Sequence, residues 1–411
     1  MKFFFPDSHD LVDPSFNFET EERSSTRVRQ QHDLYAHQLF PKPPYDGLLL
    51  SKAIVDGSGN AGGKYTAPQR HRLFRTGVRE FFRLEGTTLQ TMGDCGAFAY
   101  VKEKEPPYAV DEVVEFYEKC GFDLGVSVDH IVLGFVSNND ENALEAGVLA
   151  DFRERREITL SLAAKFLKQQ KRGRLRFSPV GAAQGWSAKS YADSVVQLQK
   201  MGYTRIGLGG LVPLKTPEIL EVLEAVEQKR RKATSLHLFG VTRLESLEAF
   251  RDSGVTSFDS TSPLLHAFKH DSKNYFTATA QYAAIRVPQV EGNAKLASKI
   301  RAGQISQDEA IRLERDCLKR LAKFQASQAG LKPLLQVLQE YNSLFDGRKD
   351  RTEMYARTLK DRPWTRCRCA ICKQLGVHVV VFRGAERNRR RGFHNLYVTH
   401  AKMQRKLRAI A

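Results

Sequence analysis

The sequence predicts an α/β fold: a TIM (β/α)8 barrel with a helical insertion and a C-terminal zinc-binding subdomain. Three observations predict it. Short apolar or β-branched runs alternate with amphipathic helical segments, the pattern of a parallel sheet. That alternation fills residues 47–290, about the span one such barrel needs. Three cysteines then fall within six positions near the C-terminus, at Cys367, Cys369 and Cys372.

In chain order, residues 1–46 mix Pro, Phe, Ser and charge with no sustained period, and read as an irregular lead-in. The barrel is expected over 47–290. Its strand-like runs are Gly47 to Ala53, Leu124 to Val128, Leu175 to Val180, Arg205 to Leu211, Leu236 to Val241 and Val255 to Asp259. Helical periodicity falls between them, at 110–120, 143–170, 188–201, 217–231 and 244–253. No Gly-x-Gly-x-x-Gly opens the first helix, and no phosphate-loop lysine motif occurs. Gly207-Leu208-Gly209-Gly210 follows a strand but continues Leu-Val-Pro, which fits neither signature and makes a doubly wound nucleotide fold the weaker reading. Residues 291–345 read as a charged helical insertion or linker, and 346–411 as a basic zinc-binding subdomain.

Composition narrows the function. The chain has 411 residues, is 41% apolar and holds 25 Phe and 13 Tyr, enough for a sizeable core and too apolar for disorder. No apolar run reaches bilayer length, and mean hydropathy is −0.43, so a membrane span is not expected. The opening Met-Lys-Phe-Phe-Phe-Pro-Asp-Ser turns polar too soon for a secretory signal, and a cytoplasmic location is expected. Net charge is +17, of which +14 lies between Arg348 and Ala411. Such polarised charge suits a polyphosphate backbone, although solubility or an acidic protein partner would use it too.

Cys95, Cys120 and Cys317 are scattered and read as small buried side chains. Cys367-x-Cys369-x-x-Cys372 instead places three thiols on a tight loop where they can converge on one soft cation. The fourth ligand is His394, 22 residues after Cys372, with His378 and His400 as alternatives. Four closed ligands would make the zinc structural, and a chance cysteine cluster is the bland alternative. Three carboxylates follow strands, where a barrel keeps its chemistry: Asp94, Asp129 and Asp259. Each alone could be a loop cap; two together could act as nucleophile and acid/base at an anomeric carbon.

These motifs resemble the tRNA-guanine transglycosylase family. Gly93-Asp94-Cys95-Gly96-Ala97-Phe98 is similar to that family's Asp-Ser-Gly-Gly-aromatic segment, and Val180-Gly181-Ala182-Ala183-Gln184-Gly185 to its Gly-x-x-Gln-Gly. Gly207-Leu208-Gly209-Gly210-Leu211 resembles its Gly-Gly-Leu, and Gly254-Val255-Thr256-Ser257-Phe258-Asp259 the segment carrying its nucleophile. The cysteine cluster followed by His394-Asn395-Leu396 resembles its zinc site. The Gly-Asp-Cys-Gly-Ala-Phe form, the stretch from Ser262 to Phe276 and the opening Met1–Asp7 look most like the DpdA branch, which inserts a 7-deazaguanine into DNA. Two departures from the tRNA enzymes stand out. Asp259 is followed by Ser-Thr-Ser-Pro rather than a Pro-Thr-Arg run, and the gap from Cys372 to His394 is shorter.

The resemblance implies a residue-by-residue assignment. Asp259 would be the nucleophile at C1′ of a deoxyguanosine and Asp94 the base that takes the N9 proton of the incoming deazaguanine. Asp129 and Gln184, with backbone near Gly209 and Gly210, would read the purine edge; His130 beside Asp129 is a rival polar group. Phe98, with Phe239 as a second candidate, would stack on the base. The implied incoming base is 7-cyano-7-deazaguanine (preQ0), the implied cofactor a structural Zn²⁺, and the partners DNA and an ATPase. A tRNA substrate, or a zinc-dependent nucleic-acid-binding protein without activity, are the alternatives.

Overall fold

Eight parallel strands close into a barrel: β1 Lys2–Pro6, β2 Gly47–Ser51, β3 Gln90–Asp94, β4 Leu124–Val126, β5 Ser178–Ala183, β6 Arg205–Leu208, β7 Ser235–Leu238 and β8 Val255–Asp259. The structure is a computed structural model that describes residues 1–58 and 61–410. Each strand pairs with its neighbours in sequence, and β1 closes the ring between β2 and β8 through Phe4↔Gly47 and Phe4↔Asp259. Inside lies an apolar core of Phe4, Leu49, Met92, Leu124, Val126, Val180 and Ala182. Barrel strands are covered on both faces, so the runs Phe3–Phe5 and Leu48–Leu50 are continuously apolar rather than alternating. No helix is long and apolar enough to cross a membrane among the described residues.

The helices of this unit include α1 Ala67–Phe81, α2 Val110–Cys120, α3 Ala146–Gly173, α4 Ala188–Met201, α5 Thr216–Lys229 and α6 Leu247–Asp252. Local chemistry sets their ends. Asp111 and Glu112 face the positive start of α2, and Ser187 caps α4 by accepting the Ser190 amide. The barrel is the one the sequence predicts, with one correction at its start. The lead-in expected over 1–46 contains the strand β1, so the barrel begins at Lys2 and its last strand ends at Asp259. The strand β3 and the helix α1 were also absent from the sequence-based series.

The chain divides into two compact units. The barrel unit comprises Met1–His9, Tyr45–Thr261 and the residues from Met403 onward; the second comprises Asp10–Pro44 and Ser262–Lys402. The expected boundaries lie at 46, 290 and 345, whereas by compactness residues 10–44 group with 262–402. The second unit is mainly helical, with α7 Ser262–Lys269, α8 Ala294–Arg301, α9 Gln307–Gln325, α10 Leu331–Asp346, α11 Thr352–Asp361 and α12 Ala370–Leu375. The last helix, α13, runs Gly384–Ala409. Two short pairings complete it, β9 Tyr275–Phe276 with β10 Gln281–Tyr282 and β11 Ile285–Arg286 with β12 Val381–Phe382.

The basic C-terminal stretch is less of a surface than its charge suggests. Arg351, Arg383, Arg387, Arg390 and Arg391 are each at most 5% exposed. Arg383 donates to Glu21 and, at 2.7 Å, to Glu314, while Arg390 pairs with Glu386. Burial alone would raise the Glu21 carboxyl, yet the hydrogen bonds and charges of Arg383 and Arg387 bring it down to about 2. Arg391 donates to the carbonyls of Val379, Val381 and Ala267. These arginines bind the unit together and are withheld from any polyanion.

Candidate active site and metal centre

Six strands deliver side chains or backbone to the C-terminal mouth of the barrel, where this fold keeps its reacting groups. Asp94 ends β3, and Asp129 lies three residues past β4. Gln184 follows β5, Gly209 and Gly210 follow β6, Phe239 follows β7, and Asp259 ends β8. The mouth therefore gathers all three carboxylates singled out in the sequence.

Asp94 has its Oδ2 hydrogen-bonded to the Gly96 amide at 2.9 Å. Burial, followed by the negative charges of Asp129 and Asp259, pushes its carboxyl up to about 7. Burial, helped by the two neighbouring acids, thus leaves Asp94 poised between its two protonation states at neutral pH. Asp129 is 6% exposed, and its Oδ2 accepts Gln184 Nε2 at 2.6 Å. Burial raises Asp129 to about 6 against the opposing pull of that bond. Gln184 is anchored from its other end, Oε1 accepting the Val132 amide at 3.3 Å. His130, next to Asp129 in the chain, is engaged elsewhere, by Arg155 at Nδ1 (2.7 Å) and by the Glu103 carbonyl at Nε2 (2.9 Å). Asp129, not His130, is the residue joined to Gln184.

Backbone geometry explains the glycines after β6. A Cβ at Gly209 would lie 2.1 Å from Gln184 Nε2, and Gly210 has φ +73, with the Val132 carbonyl 2.3 Å from where its Cβ would be. Tyr191 holds the turn by donating to the Gly209 carbonyl at 2.7 Å. Phe98 stands on the short turn Ala97–Tyr100 and is 52% exposed, free to meet a flat ligand. Phe239 is partly buried against the barrel core, with its ring edge-on to His237 at 4.6 Å.

Asp259 brings out a residue the sequence reading missed. Its Oδ1 accepts two hydrogen bonds at 3.1 Å, from the Gly240 amide and from His237 Nε2. His237 Nδ1 lies 2.9 Å from Ser257 Oγ, so the hydroxyl donates to Nδ1 and the Nε2–H tautomer faces the carboxylate. The signal was present in β7, where a histidine interrupts an apolar run two residues before Phe239. A single histidine on a strand is usually a satisfied core residue, and nothing in its spacing ties it to Asp259.

In the second unit, Cys367, Cys369, Cys372 and His394 place their ligand atoms within 4.8 Å of one another. His394 Nδ1 lies 3.7, 3.4 and 3.3 Å from the three sulfurs in that order. Its Nε2–H donates to the Phe276 carbonyl at 2.7 Å, which turns Nδ1 toward the thiols, and Tyr275 stacks on the ring at 4.2 Å. Such separations suit ligands about 2.0–2.3 Å from one tetrahedral ion. Four protein donors that could hold a metal ion are therefore assembled, and they use up the tetrahedron. His378 is not among them: it lies beside Phe18, and burial pushes its imidazole down to about 4.

A pair of carboxylates facing one point is the equipment of many enzymes that break and remake glycosidic bonds. No protein-family model matches the chain. It is 48% identical over 408 residues to a DNA-guanine transglycosylase of Salmonella montevideo, covering 98% of this chain and 97% of that one. The chain belongs to the DNA-guanine transglycosylase family and is an enzyme of the base-exchanging glycosyltransferase type.

Proposed function

We propose that this enzyme exchanges guanine in DNA for a 7-deazaguanine base, preQ0, through a covalent aspartyl-glycosyl intermediate, as the DpdA branch does. The observation that carries the reading is the meeting of Asp94, Asp129 and Asp259 in one barrel mouth, where burial and then the charges of the other two raise Asp94 to about 7.

Asp259 is the nucleophile. His237 and Gly240 engage its Oδ1, which leaves Oδ2 to attack C1′ as the bond from C1′ to guanine N9 breaks. Protonated Asp94 delivers its proton to the departing guanine. The ionised Asp94 then takes the N9 proton of the incoming base, whose nitrogen attacks C1′ and releases Asp259. Asp129 and Gln184, joined at 2.6 Å, read the Watson–Crick edge of each purine, and the backbone at Gly209 and Gly210 borders the same pocket. Phe98 stacks on the base. Zinc in the Cys₃His cluster would hold the second unit together and take no part in the exchange. Reaching a guanine inside a duplex costs a few kcal/mol of unstacking, work for which an ATPase partner is the natural supplier. A cytoplasmic setting fits DNA and a free base as substrates.

Nucleoside mass spectrometry of DNA and tRNA, from cells with and without the gene, tests the substrate. Deazaguanine is expected in DNA only; its appearance solely in tRNA removes the DNA assignment. The pH dependence tests the role of Asp94. Adduct formation needs the protonated acid and should fall as pH rises past about 7, whereas capture of the incoming base needs the ionised form and should rise across the same range. Stability carries the same signature. Between the ordinary value of 3.8 and about 7 the folded state keeps a proton that the unfolded chain has shed, so this contribution is complete below the lower value and is lost as pH rises through the upper one. Asp94→Asn should therefore end exchange and yet raise Tm at pH 8 by roughly 2–4 °C or more. Full activity, or a lower Tm, would contradict this account.

A further inference from the structure

The described residues include five exposed large hydrophobic side chains, and three stand at the barrel mouth: Phe98, Leu133 and Val212. Each lies four residues past a residue at or just beyond a strand end, namely Asp94, Asp129 and Leu208. Scattered exposed apolar residues are ordinary, but these three share one rim. Contacts between the loops join them. Tyr100, two residues after Phe98, donates to the Asp129 carbonyl at 3.1 Å. The Val132 carbonyl, next to Leu133, approaches within 2.3 Å of where a Gly210 Cβ would be, two residues before Val212. Val212 Cγ2 in turn comes within 2.4 Å of the Cβ position at Gly240, whose amide binds Asp259. The apolar rim thus passes from the Asp94 loop to the donor of Asp259.

We propose that Leu133, 40% exposed, and Val212, 45% exposed, are a wedge that packs on the faces of the two bases flanking the target guanosine in duplex DNA, filling the gap left when that nucleotide leaves the stack. This rests on the DNA-exchange reading above and adds the residues that keep the duplex open. Their position selects the occupant. A protein seated permanently on this rim would block the mouth, so what covers it must arrive with the reacting nucleotide and leave with it. Base faces are the apolar surface that such a polymer offers. Neither side chain takes part in the hydrogen bonds that hold Asp94, Asp129 and Asp259.

The test compares a short duplex, its target guanine in a mismatch, with the same strand alone. In Leu133→Ser/Val212→Ser, exchange on the duplex should fall tenfold or more while exchange on the single strand stays within about threefold of wild type. Fluorescence of a 2-aminopurine placed beside the target should rise on wild-type binding to the duplex and rise less with the double variant. Both sites are exposed, so Tm should hold, and Leu133→Phe/Val212→Leu, which keeps an apolar face, should retain duplex activity. Equal losses on both substrates, no loss on the duplex, or a wild-type enzyme active on single strands alone would overturn the wedge. A wild-type protein that exchanges bases on neither DNA fails at the earlier step, and both proposals fall together.

Discussion

Asp259→Asn should lower exchange by roughly 10⁴-fold or more and abolish any trapped adduct between protein and DNA, with the fold intact. The substitution keeps an oxygen where Oδ1 accepts His237 and Gly240, so the hydrogen bonds that fix the side chain survive. What it removes is the charged oxygen that forms the bond to C1′. Denaturing gel electrophoresis of protein mixed with labelled DNA reads the adduct directly, and mass spectrometry of the DNA reads the product. His237→Ala should behave differently. The nucleophile stays but loses one of two donors, so adduct formation slows by roughly 10–100-fold and is not abolished. An active Asp259→Asn enzyme would take residue 259 out of the reaction.

Removal of the metal should have the second large effect, on stability. Purified protein should contain about one zinc per chain by elemental analysis. Cys372→Ser breaks a cluster in which three sulfurs surround one imidazole nitrogen, and it leaves Cys369 and His394 buried without their metal. Because binding free energy at a structural site is folding free energy, Tm should drop by roughly 10 °C or more. A strong chelator added to the wild-type protein should reproduce the drop, and zinc should reverse it. Purified protein free of metal, with a melting curve that neither treatment moves, would show the cluster to be a group of ordinary thiols.

The sequence made some elements plain and hid others for identifiable reasons. The helices 110–120 and 188–201 lie where their periodicity puts them, because each has one apolar stripe and a clear stop at a glycine. β1 was hidden because a barrel strand of five residues covered on both faces carries no alternation, and Phe-Phe-Phe beside Pro looks like a loop. β3 was hidden for the opposite reason: Gln-Thr-Met-Gly-Asp is polar and contains a glycine, against strand propensity. The three mouth carboxylates were legible since each follows an apolar or glycine-rich run. The buried arginines were not, because charge counted along a chain says nothing of whether Glu21, more than 300 residues away, comes back to meet it.

The pairing of β1 with β8 reaches from Phe4 to Asp259, and this has a cost during synthesis. At ribosomal speeds of about 5–20 residues per second, the strand made first waits roughly 10–50 s for the last. Until residue 259 has left the exit tunnel, the Phe3–Phe5 edge has no permanent neighbour on that side. A nascent chain in this condition is a natural client for a holding chaperone, and slow codons between 209 and 259 should lengthen its exposure.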